Sequence, residues 1–234
     1  MNQRAQNLLV ACYTQDPGFF AVGPFESSSG TIVPFYFEFR KLYSDPKAVR
    51  RLANHTAQAI KKMRPQVVAG AADAGIPLAM AISLKTNIPF VYIKKQRKAF
   101  LAKTAVEGSF PPGARAVLID DTLLYGNTKK CLIDNARKDG LRVTDVLVIY
   151  ESGGRGYQQS AARAWLKRQR ITTHFIFRKE EMITFLMKRR LVPPQTLLIN
   201  DRYAENPKTW VNNGHYWQDF LTWKKDYAAL RSAR

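Results

Sequence analysis

Between Gln66 and Phe177 the chain alternates short apolar runs with helix-length amphipathic stretches. The runs are Val67-Val68-Ala69, Phe90-Val91-Tyr92-Ile93, Ala116-Val117-Leu118-Ile119, Val146-Leu147-Val148-Ile149 and His174-Phe175-Ile176-Phe177. Runs of this length, rich in β-branched residues, are strands buried on both faces, and their spacing leaves room for a covering helix between each pair. The pattern predicts an α/β fold with a doubly wound, mainly parallel sheet. Ser44-Asp45-Pro46 caps a helix whose apolar positions Val49, Leu52, Ala53, Ala57, Ile60 and Met63 recur at helical spacing until Pro65 stops it. Further helices are expected from about Pro77 to Lys85 and from about Asn127 to Asp139, the latter closed by Gly140.

Two regions fall outside this alternation. From Phe25 to Phe39, Ser27-Ser28-Ser29-Gly30 reads as a turn between extended segments and predicts a small hood outside the sheet. From Asn200 to Arg234 the chain holds Trp210, Trp217 and Trp223 and a helix from about Tyr216, and docking on its own domain is the expected role. The expected division is therefore a domain over 1–199, with its hood over about 1–40, and an extension over 200–234. The first residues read as an amphipathic helix. Leu9-Val10-Ala11-Cys12 has the small-residue pattern of a lipoprotein cleavage site, but the apolar stretch before it is too short for a signal peptide.

Composition narrows the partners more than the fold. Cys12 and Cys131 lack paired spacing and His55, His174 and His215 are scattered, so no Cys/His metal site is read and a reducing, cytoplasmic setting is expected. No apolar run is long enough to span a bilayer, and no membrane partner is expected. Against 18 acidic residues stand 37 Lys and Arg, a formal charge of +19. Such an excess points to a polyphosphorylated small molecule, to nucleic acid or to an anionic surface; a solvated basic exterior is the bland alternative.

In an open parallel sheet, ligands bind beyond the carboxyl ends of the strands. Asp120-Asp121 end one run and lead through Thr122, Leu123, Leu124, Tyr125 and Gly126 to Asn127 and Thr128 at a helix start. Paired carboxylates there can accept hydrogen bonds from sugar hydroxyls or hold a hydrated Mg2+, and the free amides of the helix favour a phosphate. Gly70-Ala71-Ala72-Asp73-Ala74-Gly75 is a small-residue loop after another strand, where backbone amides can approach an oxyanion, or simply a tight turn. Lys94-Lys95-Gln96-Arg97-Lys98 and Lys103 lie on a long connection from Ile93 to Arg115, read as a cationic lid or as a solvated charge run.

In this order and spacing, the segments from about Leu8 to Leu198 resemble the type I phosphoribosyltransferases, and among them the orotate phosphoribosyltransferases. Phe25 through Phe37 looks like the family's hood, Arg40 through Pro46 its entry to the first long helix, and Val68 through Ala79 its pyrophosphate loop. Lys94 to Lys98, Glu107-Gly108 and Val117 through Asp121 follow in the family's order. The resemblance implies transfer of ribose 5-phosphate from phosphoribosyl pyrophosphate to a pyrimidine nucleobase, orotate in this family, with Mg2+ as cofactor and a homodimer as the assembly. The transition state it implies is like an oxocarbenium ion, so catalysis rests on positioning and on stabilising the departing diphosphate.

It also implies roles. Lys98, Asp120 and Asp121 are the catalytic set, the two aspartates on the ribose hydroxyls. Phosphate and pyrophosphate fall to Lys94, Lys95, Ala71, Ala72, Asp73, Ala74 and Gly75, and to Thr122 through Thr128. Ser28, Tyr36, Phe37 and Tyr150 are placed at the base. No protein side chain is a direct metal ligand; Mg2+ is held through the diphosphate, with at most a water bridge to Asp120 and Asp121.

Four departures from the family pattern stand out, the last of them a pair of residues. Phe100 stands where the family's loop has histidine, and can neither donate a proton nor carry charge. Leu124 and Tyr125 replace threonines or small residues in the phosphate loop. Ile149-Tyr150 stands where the family reads Asp-Arg, and losing that arginine costs an anionic base a contact of about 1.5 to 3 kcal/mol. Three readings follow: an orotate transferase, a transferase for another base, and a catalytically reduced relative that binds a nucleotide or nucleic acid. For the last, Arg163, Lys167, Arg168 and Arg170 with Lys188, Arg189 and Arg190 form the expected phosphate-tracking face.

Overall fold

The computed structural model describes residues 1–27, 30–97, 104–123, 126–151 and 157–233. These divide into two compact units, one of residues 39–151 and 157–176, the other of residues 1–38 and 177–233.

The larger unit carries the sheet. Its strands are β3 (Val67–Ala71), β4 (Phe90–Ile93), β5 (Val106–Glu107), β6 (Arg115–Leu123), β7 (Arg142–Glu151) and β8 (Thr172–Arg178), in the spatial order β5-β4-β3-β6-β7-β8. The pairs β3–β4, β3–β6 and β6–β7 are parallel and β4–β5 is antiparallel. All five expected strands are present in a mainly parallel α/β sheet. The fifth strand's last two residues, Phe177 and Arg178, belong to the other unit. A short strand, β5, was not expected; it lies within the long connection after Ile93 and pairs Tyr92 with Glu107. Two residues carry too little periodicity to be read from sequence.

Between the strands run α2 (Pro46–Met63), α3 (Ile76–Thr86), α4 (Asn127–Lys138) and α5 (Tyr157–Arg168). Asp45 caps α2 by accepting from the amides of Lys47 and Ala48, with Pro46 in the first turn, as the sequence predicts. The core of this unit draws Val67, Ala69, Val91, Ile93, Leu118, Val146 and Val148 from the strands and Leu132, Ile133 and Ala136 from α4. The strand expected to end in two aspartates instead runs on through Thr122 and Leu123, because β7 extends far enough to pair them with Tyr150 and Glu151.

The smaller unit contains α1 (Gln3–Gln15), the antiparallel hairpin β1 (Phe20–Glu26) and β2 (Ile32–Phe37), and α6 (Lys179–Lys188), α7 (Thr196–Glu205) and α8 (Gly214–Ser232). Phe220, Trp223 and Tyr227 recur at helical spacing on α8 and are buried. Trp223 packs against Phe20 and Phe35 of the hairpin, at 6.3 and 5.4 Å between ring centroids. Trp210 donates through its indole nitrogen to the Ile32 carbonyl at 2.7 Å. The tryptophan-rich tail thus packs against the hood. No helix among the described residues is long and apolar enough to cross a membrane.

Candidate active site

Register brings the strand ends together. Ala71 lies opposite Ile93, Gly70 opposite Ile119, and Thr122 opposite Tyr150, so the carboxyl ends of β3, β4, β6 and β7 lie at one edge of the sheet. Ala72 through Gly75 follow β3, and the Ala72–Asp73 peptide bond is cis. A side chain at Gly75 would put its Cβ 2.0 Å from the Ile119 carbonyl oxygen, so glycine alone lets this loop close against the end of β6. Tyr43, in the 3₁₀ segment Phe39–Ser44, donates to the Ala74 carbonyl at 2.6 Å and ties down the loop's far side.

Asp120 and Asp121, as consecutive residues of β6, face opposite sides of the sheet and meet different surroundings. Asp120 is buried. Its Oδ2 lies 2.5 Å from the Lys129 ammonium, also buried, and its Oδ1 accepts from the Asp121 amide at 2.9 Å. Lys129 also donates to the Thr122 carbonyl. Burial raises the Asp120 pKa to about 6, the Lys129 charge opposing that shift and the neighbouring Asp121 adding to it. Asp121 is less enclosed and has Arg40 Nε at 3.8 Å and the Thr122 hydroxyl at 3.2 Å.

Sequence reasoning missed Lys129, although a signal was present. It precedes Leu132, Ile133 and Ala136 by three, four and seven residues, so it lies on the apolar stripe of α4, where a lysine needs a buried partner. The start of α4 has Gly126 in the left-handed conformation, no side-chain cap and no acidic residue in its first turn. A Cβ on Gly126 would also come within 2.8 Å of Ala162 Cβ. Two lysines, Lys129 and Lys130, instead stand at the positive end of the helix dipole, an arrangement that an anion at Gly126, Asn127 and Thr128 would relieve.

The cationic connection is organised at its stem. Lys94 forms an ion pair with Glu107 at 2.6 Å, so its charge is already matched within the chain, whereas Lys95 is exposed. Asn135 donates to the carbonyls of both Lys94 and Lys95, each at 2.9 Å. Asp139 accepts from the amides of Ala105 and Val106 and pairs with Arg97, closing the two ends of the connection on each other. Burial pushes the Asp139 pKa up, but those amides and Arg97 outweigh it and hold the carboxyl below its usual range. Lys98, Phe100 and Lys103 lie outside the described residues, as do Ser28, Leu124 and Tyr125.

The residues assigned to the base take varied positions. Phe37 is buried in the smaller unit against Phe19 and Phe20, so its ring serves that core rather than a ligand. Tyr36, next along the strand, points the other way and is exposed. Tyr150, in the larger unit, is buried against Phe39 at 5.6 Å between centroids, the packing role that a strand-end aromatic ordinarily has. Arg163, expected on a phosphate-tracking face, instead pairs with Glu151, and Lys188 to Arg190 belong to the other unit.

No protein-family model matches the chain. It is 30% identical over 149 residues to orotate phosphoribosyltransferase of Methanosarcina mazei, covering 64% of this chain and 79% of that one. With the enzyme of the same name from Streptococcus mutans the identity is 28% over 189 residues, covering 80% and 88%. In structure it is similar to UMP synthase of Leishmania donovani, with a TM-score of 0.70 and 27% identity over 82% of this chain, which spans 40% of that longer protein. Orotate phosphoribosyltransferase of Aeropyrum pernix shares the fold at a TM-score of 0.60 and 24% identity, over 78% of this chain and 98% of that one.

The mainly parallel sheet, with a carboxylate pair and a helix start beside it at one edge, is that of a type I phosphoribosyltransferase. Within that class, the chain belongs to the orotate phosphoribosyltransferase family.

Proposed function

We infer that the protein transfers ribose 5-phosphate from phosphoribosyl pyrophosphate to orotate, giving orotidine 5'-monophosphate and pyrophosphate. The observation that carries this is family membership together with Asp120-Asp121 in the last half of β6, ahead of an uncapped helix start. In the reaction the bond from the ribose carbon to the diphosphate oxygen breaks, its electron pair leaving with pyrophosphate, and a bond to the base nitrogen forms.

The roles proposed for this chain's residues follow their surroundings. Asp121 and the carboxylate of Asp120 receive the ribose hydroxyls, with Lys129 holding Asp120 in orientation. The amides at Gly126, Asn127 and Thr128 receive the 5-phosphate. The loop Ala72–Gly75, held by Tyr43 and by its fit against Ile119, presents amides to the pyrophosphate, and exposed Lys95 adds charge there. Lys94 acts through Glu107 as an anchor of the loop.

Mg2+ is proposed to enter on the diphosphate. The donor set suits that route, since Asp120 is already matched by Lys129 while Asp121 presents a partly exposed carboxylate for a water-bridged contact. Once bound, the metal would neutralise charge on the departing diphosphate. A homodimer is proposed on the family's pattern. Met80 and Leu84, one turn apart on α3 and both exposed, support an apolar contact with a second copy.

The test is the loss of orotate absorbance on mixing protein, phosphoribosyl pyrophosphate and Mg2+. Turnover that is abolished by Asp121→Asn is expected. Folded protein that consumes no orotate, yet releases pyrophosphate with another base, would replace orotate as the substrate.

A further inference from the structure

The opposite edge of the same sheet carries a feature that the transferase chemistry does not use. Arg64 precedes β3, Arg115 opens β6, Arg142 opens β7 and Arg170 precedes β8, and these four strands are neighbours in that order. Arg115 and Arg142 are directly paired in register, a placement in which like charges repel. Arg115 reaches the Arg64 carbonyl at 2.9 Å. Arg64 and Arg170 have φ of 50° and 58°, in the left-handed region where glycine fits without steric cost. Arg170 closes α5, its amide bonding to the Lys167 carbonyl and that of Ile171 to Leu166.

Helix dipoles explain part of this charge. The helices α2, α3, α4 and α5 lead into β3, β4, β7 and β8, so their negative ends gather at this edge, together worth about two charges. Five guanidiniums stand there, counting Arg137 in the last turn of α4, and among the described residues only Arg137 of the five has an ion-pair partner, half-buried Asp134 at 3.4 Å. The excess is positive.

Three of the five line one cleft. Arg137, Arg142 and Arg170 surround a cavity of about 510 Å³, within the range of small-ligand sites, and Arg137 is oriented by donating to Gln169 at 3.0 Å. Among the described residues neither Arg142 nor Arg170 has an acidic partner, and no aromatic ring lines the cleft. Single nucleic-acid strands are ordinarily gripped by stacking on aromatic rings, so a concave cleft lined by three arginines and no ring favours a compact anion. The cleft lies at the start of β7 and the transferase site at its end, about 30 Å away at a rise of about 3.3 Å per residue.

We propose that the cleft between the C-terminal ends of α4 and α5 is a second anion site that binds an oligophosphate through Arg137, Arg142 and Arg170. A ligand with two or three linked phosphates would offer each of the three guanidiniums an anionic group to pair with.

The experiment is calorimetric titration of the full chain with inorganic tripolyphosphate near physiological salt, comparing wild type, Arg142→Ala with Arg170→Gly, and Lys95→Ala. Glycine suits the backbone at position 170, and both arginines are exposed, so the double variant should fold, checked by circular dichroism, and should still consume orotate. Two binding events are expected, one of them weakened roughly tenfold or more in the double arginine variant and untouched by Lys95→Ala. A single event sensitive to Lys95→Ala alone assigns all binding to the transferase site and overturns the proposal, as does the absence of any second event. Tighter binding of a single-stranded oligoribonucleotide, lost in the double variant, would make this edge a nucleic-acid face instead.

Discussion

The ammonium of Lys129 lies 2.5 Å from Oδ2 of Asp120, and both side chains are buried, so the first carboxylate of the strand-end pair carries its own counter-ion within the chain. A buried pair of this kind contributes little net stability when whole and costs several kcal/mol when halved, because one charge is left without water or partner. Lys129→Met should therefore lower unfolding free energy by about 3 to 5 kcal/mol. Adding Asp120→Asn should restore part of the loss. Urea unfolding of the single and double variants measures both, and equal stability of the two would show that the pair is not coupled.

The pH dependence of the site follows from the same pair. Burial raises the Asp120 pKa to about 6, while the carboxyl in an unfolded chain titrates near 4. Between those values the folded chain binds a proton that the unfolded chain does not, so this group's contribution to stability falls as pH rises through the window. In the role proposed for Asp120, the ribose hydroxyls need the ionised carboxylate as acceptor. The KM for phosphoribosyl pyrophosphate should fall as pH rises through about 6, and Lys129→Met should move that limb to higher pH by removing a charge that favours ionisation. Steady-state kinetics across the range reads the shift directly.

In the smaller unit Lys179 is buried over the rings of Phe35 and Tyr203, at 5.2 and 5.5 Å from their centroids. Burial depresses its pKa to about 8, with Asp201 and Glu180 opposing the shift. An unfolded lysine titrates near 10.4, so between about 8 and 10.4 the unfolded chain holds the extra proton and stability rises with pH. Lys179→Met should stabilise the protein at neutral pH and remove that rise, as thermal unfolding at several pH values would record.

Gly75→Ala should cripple the loop proposed to receive pyrophosphate, since its Cβ would meet the Ile119 carbonyl oxygen at 2.0 Å, a contact only backbone movement relieves. A destabilisation of about 1 to 3 kcal/mol is expected, with a larger loss of turnover than of stability. Comparing kcat/KM with the urea midpoint separates the two. Gly214→Ala is a control: there the added Cβ meets nothing within 4 Å and the backbone is outside the left-handed region.

Much of this molecule was legible in order along the chain. The apolar runs that became β3, β4, β6, β7 and β8 announced a mainly parallel sheet, because strands covered on both faces need continuous β-branched segments whatever packs on them. Asp45-Pro46 and Gly140 marked helix ends through interactions a few residues long, and Asp120-Asp121 marked the approach to the carboxyl end of β6. These are local or periodic properties, and a linear reading recovers them.

What the tertiary structure alone decided concerns partners distant in sequence. That Lys94 is matched by Glu107, Arg163 by Glu151 and Asp139 by both ends of the long connection depends on which strands became neighbours. The burial of Tyr150 on Phe39 and of Phe37 on Phe19 likewise took two side chains expected at a ligand and gave them to packing. A charge or an aromatic ring carries the same letter whether it meets solvent, substrate or another residue. Only the register of β6 against β7, and the lie of α4 on both, settled that Asp120 faces a lysine.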